Sequence, residues 1–231
     1  SRRENSRRPL SPPPHMTAMD GSSTNDSISA PDHQHEESQC PLSHSDDMEQ
    51  ELMRTKIHLD RELRRFNRIL HFSQRAMLVE DSAVLATQVA EAIADVFEVE
   101  LGAFWSMGES GLLPSQTAFT SPLSPDAMDS LRRHLLQEGG SGAPQILDPA
   151  HFPAALEPLG LSQVVFCCTR NAEKRIEAIL VGATTAKCAP LYEPVSQEQL
   201  TAFQMLGQLV QSLLENLGSR ALIHRQLHAL E

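Results

Sequence analysis

Aromatic residues are scarce in this chain, 4% of its 231 residues, with one Trp and one Tyr. Any core must therefore be built mainly from Leu, Val, Ile, Ala and Phe. No apolar run reaches the roughly 18–20 residues of a membrane-spanning helix, so no transmembrane segment is expected. Arg2–Arg3 and Arg7–Arg8 lead into Pro and polar residues instead of an apolar stretch, which does not make a secretory signal. The four cysteines, Cys40, the adjacent Cys167 and Cys168, and Cys188, form no disulfide framework, and no CxxC or CxxxH spacing makes a zinc site. That usage predicts a reduced, cytoplasmic protein. Basic excess is missing too: a net charge of -11 and a pI near 5.3 argue against nucleic acid as the partner. Also absent are Gly-x-Ser-x-Gly, His-Glu-x-x-His, GxxxxGK[ST] and GxGxxG in strand-to-helix settings, so no catalytic residue, metal site or phosphate cradle is expected.

What the chain does contain is organised around Leu85–Met107. Leu85, Val89, Ile93 and Val96–Phe97 take the spacing of one helix face. At Glu98 the period changes, and Val99, Leu101, Ala103, Trp105 and Met107 alternate with Glu100, Gly102, Phe104 and Ser106 as in a strand. An amphipathic helix running straight into a strand must pack across a sheet, which predicts an α+β domain.

Before it, residues 1–47 carry Pro12–Pro13–Pro14, repeated Ser and almost no branched apolar residues, the composition of a disordered tail. A helix is expected over 48–80. Leu52, Leu59, Leu63, Phe66, Leu70 and Met77 fall on one 3-4 ladder, with Lys56 and Ser73 on its polar rungs, as in a coiled-coil seam. Arg61, Arg64, Arg65 and Arg68 lie on the neighbouring faces and read as a solvated flank in so acidic a chain. Asp81 or Ser82 is an N-cap for the next helix.

After it, Gly108–Gly111 reads as a hairpin turn and Leu112–Phe119 as the returning strand, weakened by Pro114. Ser124 and Pro125 open a helix over Asp126–Gln137, and Ala143–Pro158 is expected to be irregular, with a helical turn at Ala154–Leu156. Ser162–Thr169 and Arg175–Thr185 are apolar on both faces, as central strands are. Cys167 and Cys168 then point to opposite faces, as small buried hydrophobes. Ser196 and Gln199 form a capping box for an exit helix over 196–231, with Phe203, Leu206, Val210, Leu213 and Leu217 at 3-4 spacing. No Gly or Pro stops that helix before Glu231, so its seam is expected to continue into a downstream output domain.

This order of elements resembles the GAF domain. The resemblance is carried by VAEAIADVFEVELGAFW (Val89–Trp105), RIEAILVGATT (Arg175–Thr185) and YEPVSQEQLTAFQMLGQLVQSLLEN (Tyr192–Asn216), and covers about Leu70–Leu222. It implies a GAF/PAS-like central antiparallel sheet, a small-molecule pocket on one face, and long N- and C-terminal helices on the other. The sensor domain would span 81–218. The family's cyclic-nucleotide motif is absent, as is the Cys-His pair that attaches a bilin, and His134 and His151 are poor haem ligands, so no cofactor is evident. Trp105, Phe119, Phe152, Phe166 and Cys168 are the pocket candidates, with His151 in the loop that would close over them; core packing accounts for the aromatic set equally well. His224 and His228 lack the acidic neighbour of a phosphoacceptor.

The expected function is a regulatory sensor and dimerisation module of a signal-transduction protein such as a histidine kinase. The expected partner is a second copy, seamed through Leu52, Leu59, Leu63, Phe66 and Leu70 and through Leu206, Val210, Leu213 and Leu217. The alternatives are a ligand-free dimerisation module, or the sensor of a diguanylate cyclase or transcriptional regulator.

Overall fold

The computed structural model describes residues 42–108, 113–120, 124–138, 142–152, 154, 156–171 and 173–229. The chain divides into Ser1–Ser45, of which residues 42–45 begin the first helix, and Asp46–Glu231, which holds the structure discussed below. The tail ahead of residue 42 lies outside the described residues.

Helix α1 spans Leu42–Ala76, starting earlier than its apolar ladder and ending before residue 80. Helix α2 spans Ser82–Phe97, and the Asp81 carboxylate accepts from the Ala83 N–H at 2.8 Å. It ends where the period changes: Glu98 turns left-handed (φ 52°), and its N–H and that of Val99 both donate to the Ala94 carbonyl. Strand β1 follows at Leu101–Ser106.

Strand β2 is only Gln116–Phe119, half the expected length. Pro114 has no N–H to give a ladder, so the strand starts after it. Gly108 has φ +63°, while the rest of the expected hairpin turn falls outside the described residues. Helix α3 spans Pro125–Glu138, and Ser124 Oγ accepts from the Ala127 N–H. The stretch expected to be irregular contains an additional strand, β3 at Gln145–Leu147, and short 3-10 turns at Pro149–His151 and Glu157–Leu159. Three residues are too few to show an alternation. Strands β4 (Leu161–Arg170) and β5 (Ile176–Thr185) are joined by a turn in which Asn171 Oδ1 accepts from the Glu173 and Arg175 N–H groups. Helix α4 spans Leu200–His228 behind a 3-10 turn at Gln197–Gln199, and the Ser196 N–H donates to Gln199 Oε1 as a capping box requires.

The strands form one antiparallel sheet in the order β2-β1-β5-β4-β3. Because side chains alternate, each central strand feeds two cores. Phe104, Val165, Cys167, Ala178 and Leu180 pack against α2, α4 and the end of α1. Ala103, Trp105, Val164, Phe166, Cys168, Ile179 and Val181 pack beneath α3. Both faces are covered, as the two-sided apolar runs require. The fold is α+β.

Helices α1 and α4 lie side by side and run the same way. His58 stands by Glu198, Leu59–Ile69 share a groove with Glu198–Met205, and Ala76 and Met77 border Leu209–Arg220. Residues 47–57 of α1 and 222–228 of α4 are exposed, at opposite ends of the body.

Candidate functional site

Three of the pocket candidates meet on the α3 face of the sheet. Trp105 of β1 and Phe166 of β4 are each 1% exposed and Cys168 of β4 is 4% exposed; Phe152 packs half-buried against the same cluster. Phe119 does not join them. It sits on β2 opposite Ala103, at the edge of the sheet, and is 40% exposed. His151 closes a 3-10 turn, and its side chain lies outside the described residues.

Met128, Leu131 and Leu135 of α3, with Leu156 and Leu161, fill the space over Trp105 and Phe166. All five are buried, Leu131, Leu135 and Leu156 without residual exposure. The aromatic set is packed core. A ligand there would have to displace α3.

The two adjacent thiols behave as small hydrophobes. Cys167 faces α4 and Cys168 faces α3, and burial pushes both thiols up, most strongly Cys167.

The expected seam divides into two different things. Leu206, Val210, Leu213 and Leu217 of α4 are buried against the sheet of their own chain and are not available to a partner, which corrects their assignment. A core-facing helix and a coiled-coil seam share the same 3-4 spacing, and only the sheet beside it distinguishes them. By contrast, Leu52, Leu59, Leu63, Phe66 and Leu70 of α1 are all exposed, from 48% at Leu70 to 66% at Leu52. The face of α1 that docks on the body is another stripe, Arg65, Ile69, Phe72 and Ala76. It is offset by about one residue, roughly 100° around the helix.

Of the four arginines expected to be a solvated flank, Arg61 and Arg64 are exposed, whereas Arg65 and Arg68 fasten α1 to the end of α2. Arg65, 7% exposed, donates from Nε to the Val96 carbonyl at 3.3 Å and pairs with Glu62. Arg68 Nη1 donates to the Asp95 carbonyl and, at 2.9 Å, to Glu98 Oε1. Arg61 holds Glu193 with two bonds of 2.8 and 3.0 Å. The last carbonyls of a helix have no partner of their own and carry its negative pole, so guanidinium groups are well placed there. Spacing along α1 could not reveal this, because the acceptors belong to another helix.

No family model matches this chain, and no curated protein does. Solved structures do match. A GAF domain assigned to a sensor histidine kinase of Pseudomonas syringae pv. tomato superposes with a TM-score of 0.52 at 18% identity, covering 78% of this chain and 99% of that one. The GAF domain of a phosphoenolpyruvate-protein phosphotransferase from Coxiella burnetii gives 0.50 at 10% identity, over 68% and 95%. A bacteriophytochrome from R. palustris gives 0.52 at 10% identity, covering 71% of this chain and 40% of its own. The fold is that of the GAF domain. At these identities the likeness is one of architecture. No helix among the described residues is long and apolar enough to cross a membrane.

Proposed function

We propose that this chain is a regulatory relay domain of a signal-transduction protein, in which a GAF-fold body sits between an entry helix and an exit helix. The observation that carries the reading is the pair of stripes on α1. One stripe is docked on the body, and the other presents Leu52, Leu59, Leu63, Phe66 and Leu70 to solvent at heptad spacing. Helices of this kind gain most of their stability from packing, and residues 47–57 have no packing surface on their own body. A second copy, aligned in parallel, supplies one.

The side-by-side, parallel placement of α1 and α4 supports the relay. A change in the pairing of α1 is felt at the Arg65 and Arg68 anchors on α2 and along the shared groove with α4. The mechanism is a population shift between two helix arrangements, biased by whatever binds upstream or on the body. The packed Trp105–Phe166 face favours a relay over a sensor with a ligand enclosed beneath α3. The proposed output is a histidine kinase in the cytoplasm, by analogy with the Pseudomonas structure; a diguanylate cyclase fits the same arrangement.

Cysteine cross-linking tests the pairing. In a parallel, in-register dimer, residue 59 meets its own copy, so Leu59→Cys, in a chain whose Cys40 and Cys188 are replaced by Ser, forms an oxidised dimer on denaturing gels while Cys167 and Cys168 stay buried. An exposed control, Asn67→Cys, is expected to stay monomeric on the same gel. Equal cross-linking at both positions would sink the assignment.

A further inference from the structure

A cleft of about 310 Å³ opens between the C-terminal half of β4 and α4. Its walls are Cys167–Arg170 on the strand and Gln204, Gly207, Gln208 and Gln211 on the helix, with Gly142 and Ala143 at the mouth. It exists for identifiable reasons. Pairing with β3 ends at Gln145–Phe166, and the preceding Pro144 has no N–H with which to extend it, so among the described residues this half of β4 is paired on its β5 side and has no strand on its β3 side. Gly207 makes a notch in α4, where a Cβ would lie 2.9 Å from Cys167 Sγ. Gly142 has φ +72°, and a Cβ there would lie 3.6 Å from Arg170 Nε.

The chemistry of the lining is distinctive. Gln204, Gln208 and Gln211 repeat at helical spacing along one side, and each amide both donates and accepts. Gln211 is held by donating from Nε2 to the Arg170 carbonyl at 2.8 Å and to Glu215 Oε1. Arg170 brings the one formal charge among the described lining residues, and its Nη1 is steadied by donating to the Lys174 carbonyl at 2.7 Å. Thr169, 5% exposed, has a buried Oγ1 without a hydrogen-bond partner. A buried hydroxyl in that state is costly and calls for a partner. Its Cγ2 lies 3.9 Å from where a Cβ on Gly207 would be, so a turn of about 120° around χ1 carries the hydroxyl to the place Cγ2 now holds, beside the cleft.

We propose that this cleft binds a small organic monoanion, a carboxylate of about amino-acid size. The carboxylate meets Arg170 and Thr169 Oγ1, and the rest of the molecule meets the Gln204 and Gln208 amides. The volume lies at the low end of the roughly 300–1,000 Å³ of small-molecule sites. The site is on the α2–α4 side of the sheet, away from the packed Trp105–Phe166 face, and part of its wall is α4, the exit helix.

The test is a ¹H–¹⁵N titration of the full chain with acetate, L-lactate and benzoate, each against its neutral amide. At least one carboxylate is expected to give saturable shifts at Gly142, Ala143, Arg170, Gly207 and Gln208, with its amide giving none. Thr169→Val and Arg170→Gln each weaken that binding roughly tenfold or more, and Thr169→Val leaves Tm unchanged or raises it, because the lost hydroxyl had no partner. Three results would overturn the site: no saturable shift with any of the three carboxylates, shifts confined to other residues, or a lower Tm for Thr169→Val. The titration reads the same on a monomer or a dimer, so its failure leaves the relay reading untouched.

Discussion

At Gly102 a hydrogen is the largest substituent that β1 can carry, since a Cβ would lie 1.9 Å from the Ala90 carbonyl oxygen of α2. Backbone cannot yield as a flexible side chain does, so Gly102→Ala must push α2 off the sheet. We expect a loss of stability of about 3 kcal/mol or more, beyond ordinary overpacking, read as a large fall in the midpoint of urea unfolding. Two carboxylates, Glu100 just before β1 and Glu177 on β5, respond to pH in opposite senses. Burial acts against the charge of Glu100, but hydrogen bonds from Thr185 and Cys188 and the nearby Lys187 outweigh it and lower its pKa. Glu177 is pushed up, first by burial and then by Glu215, and its Oε2 has no partner. A raised carboxylate costs stability above its ordinary value of 4.5 and none below it. Glu177→Gln is therefore expected to raise Tm at neutral pH, with the gain shrinking as pH falls toward 4.5. A gain that does not change with pH would show that charge is not the cause.

At the scale of elements, α1 carries two phenylalanines with different duties. Phe72 is 1% exposed among α2 and α4 side chains, whereas Phe66 lies on the outward stripe. Phe72→Ala should cost about 3–5 kcal/mol of stability measured by denaturant at a fixed protein concentration. Phe66→Ala should change the stability of the single chain little and weaken self-association, measured by sedimentation. Equal effects of the two substitutions would contradict the division of the helix into stripes. How well each element could be read from the sequence follows the same physics. The change of period at Glu98 marks the α2–β1 junction, and the two-sided runs of β4 and β5 are evident, because burial on a regular element leaves a repeat. Strand β3 has three residues and leaves none. The inward face of α4 imitates a seam, because a sheet and a partner helix ask for the same spacing. Phe119 looked like pocket wall, yet the short β2 ends in the open. The cleft beside Thr169 depends on Gly142 and Gly207 meeting one strand, a coincidence in space with no signature along the chain.

At the scale of the molecule, the body takes α1 in at one end and sends α4 out at the other, with both helices on one face of the sheet. The opposite face is closed by α3 and holds side chains where the family resemblance implied a pocket. In the proposed relay this arrangement passes a change in helix pairing along its length, and the proposal's central requirement is a second copy on the outward stripe of α1. Native mass spectrometry of the whole 231-residue chain tests that requirement most directly. The account predicts a dimer at micromolar concentration, converted to monomer by Leu59→Glu with Phe66→Glu while the circular dichroism of the body is kept. A monomeric parent chain would contradict it.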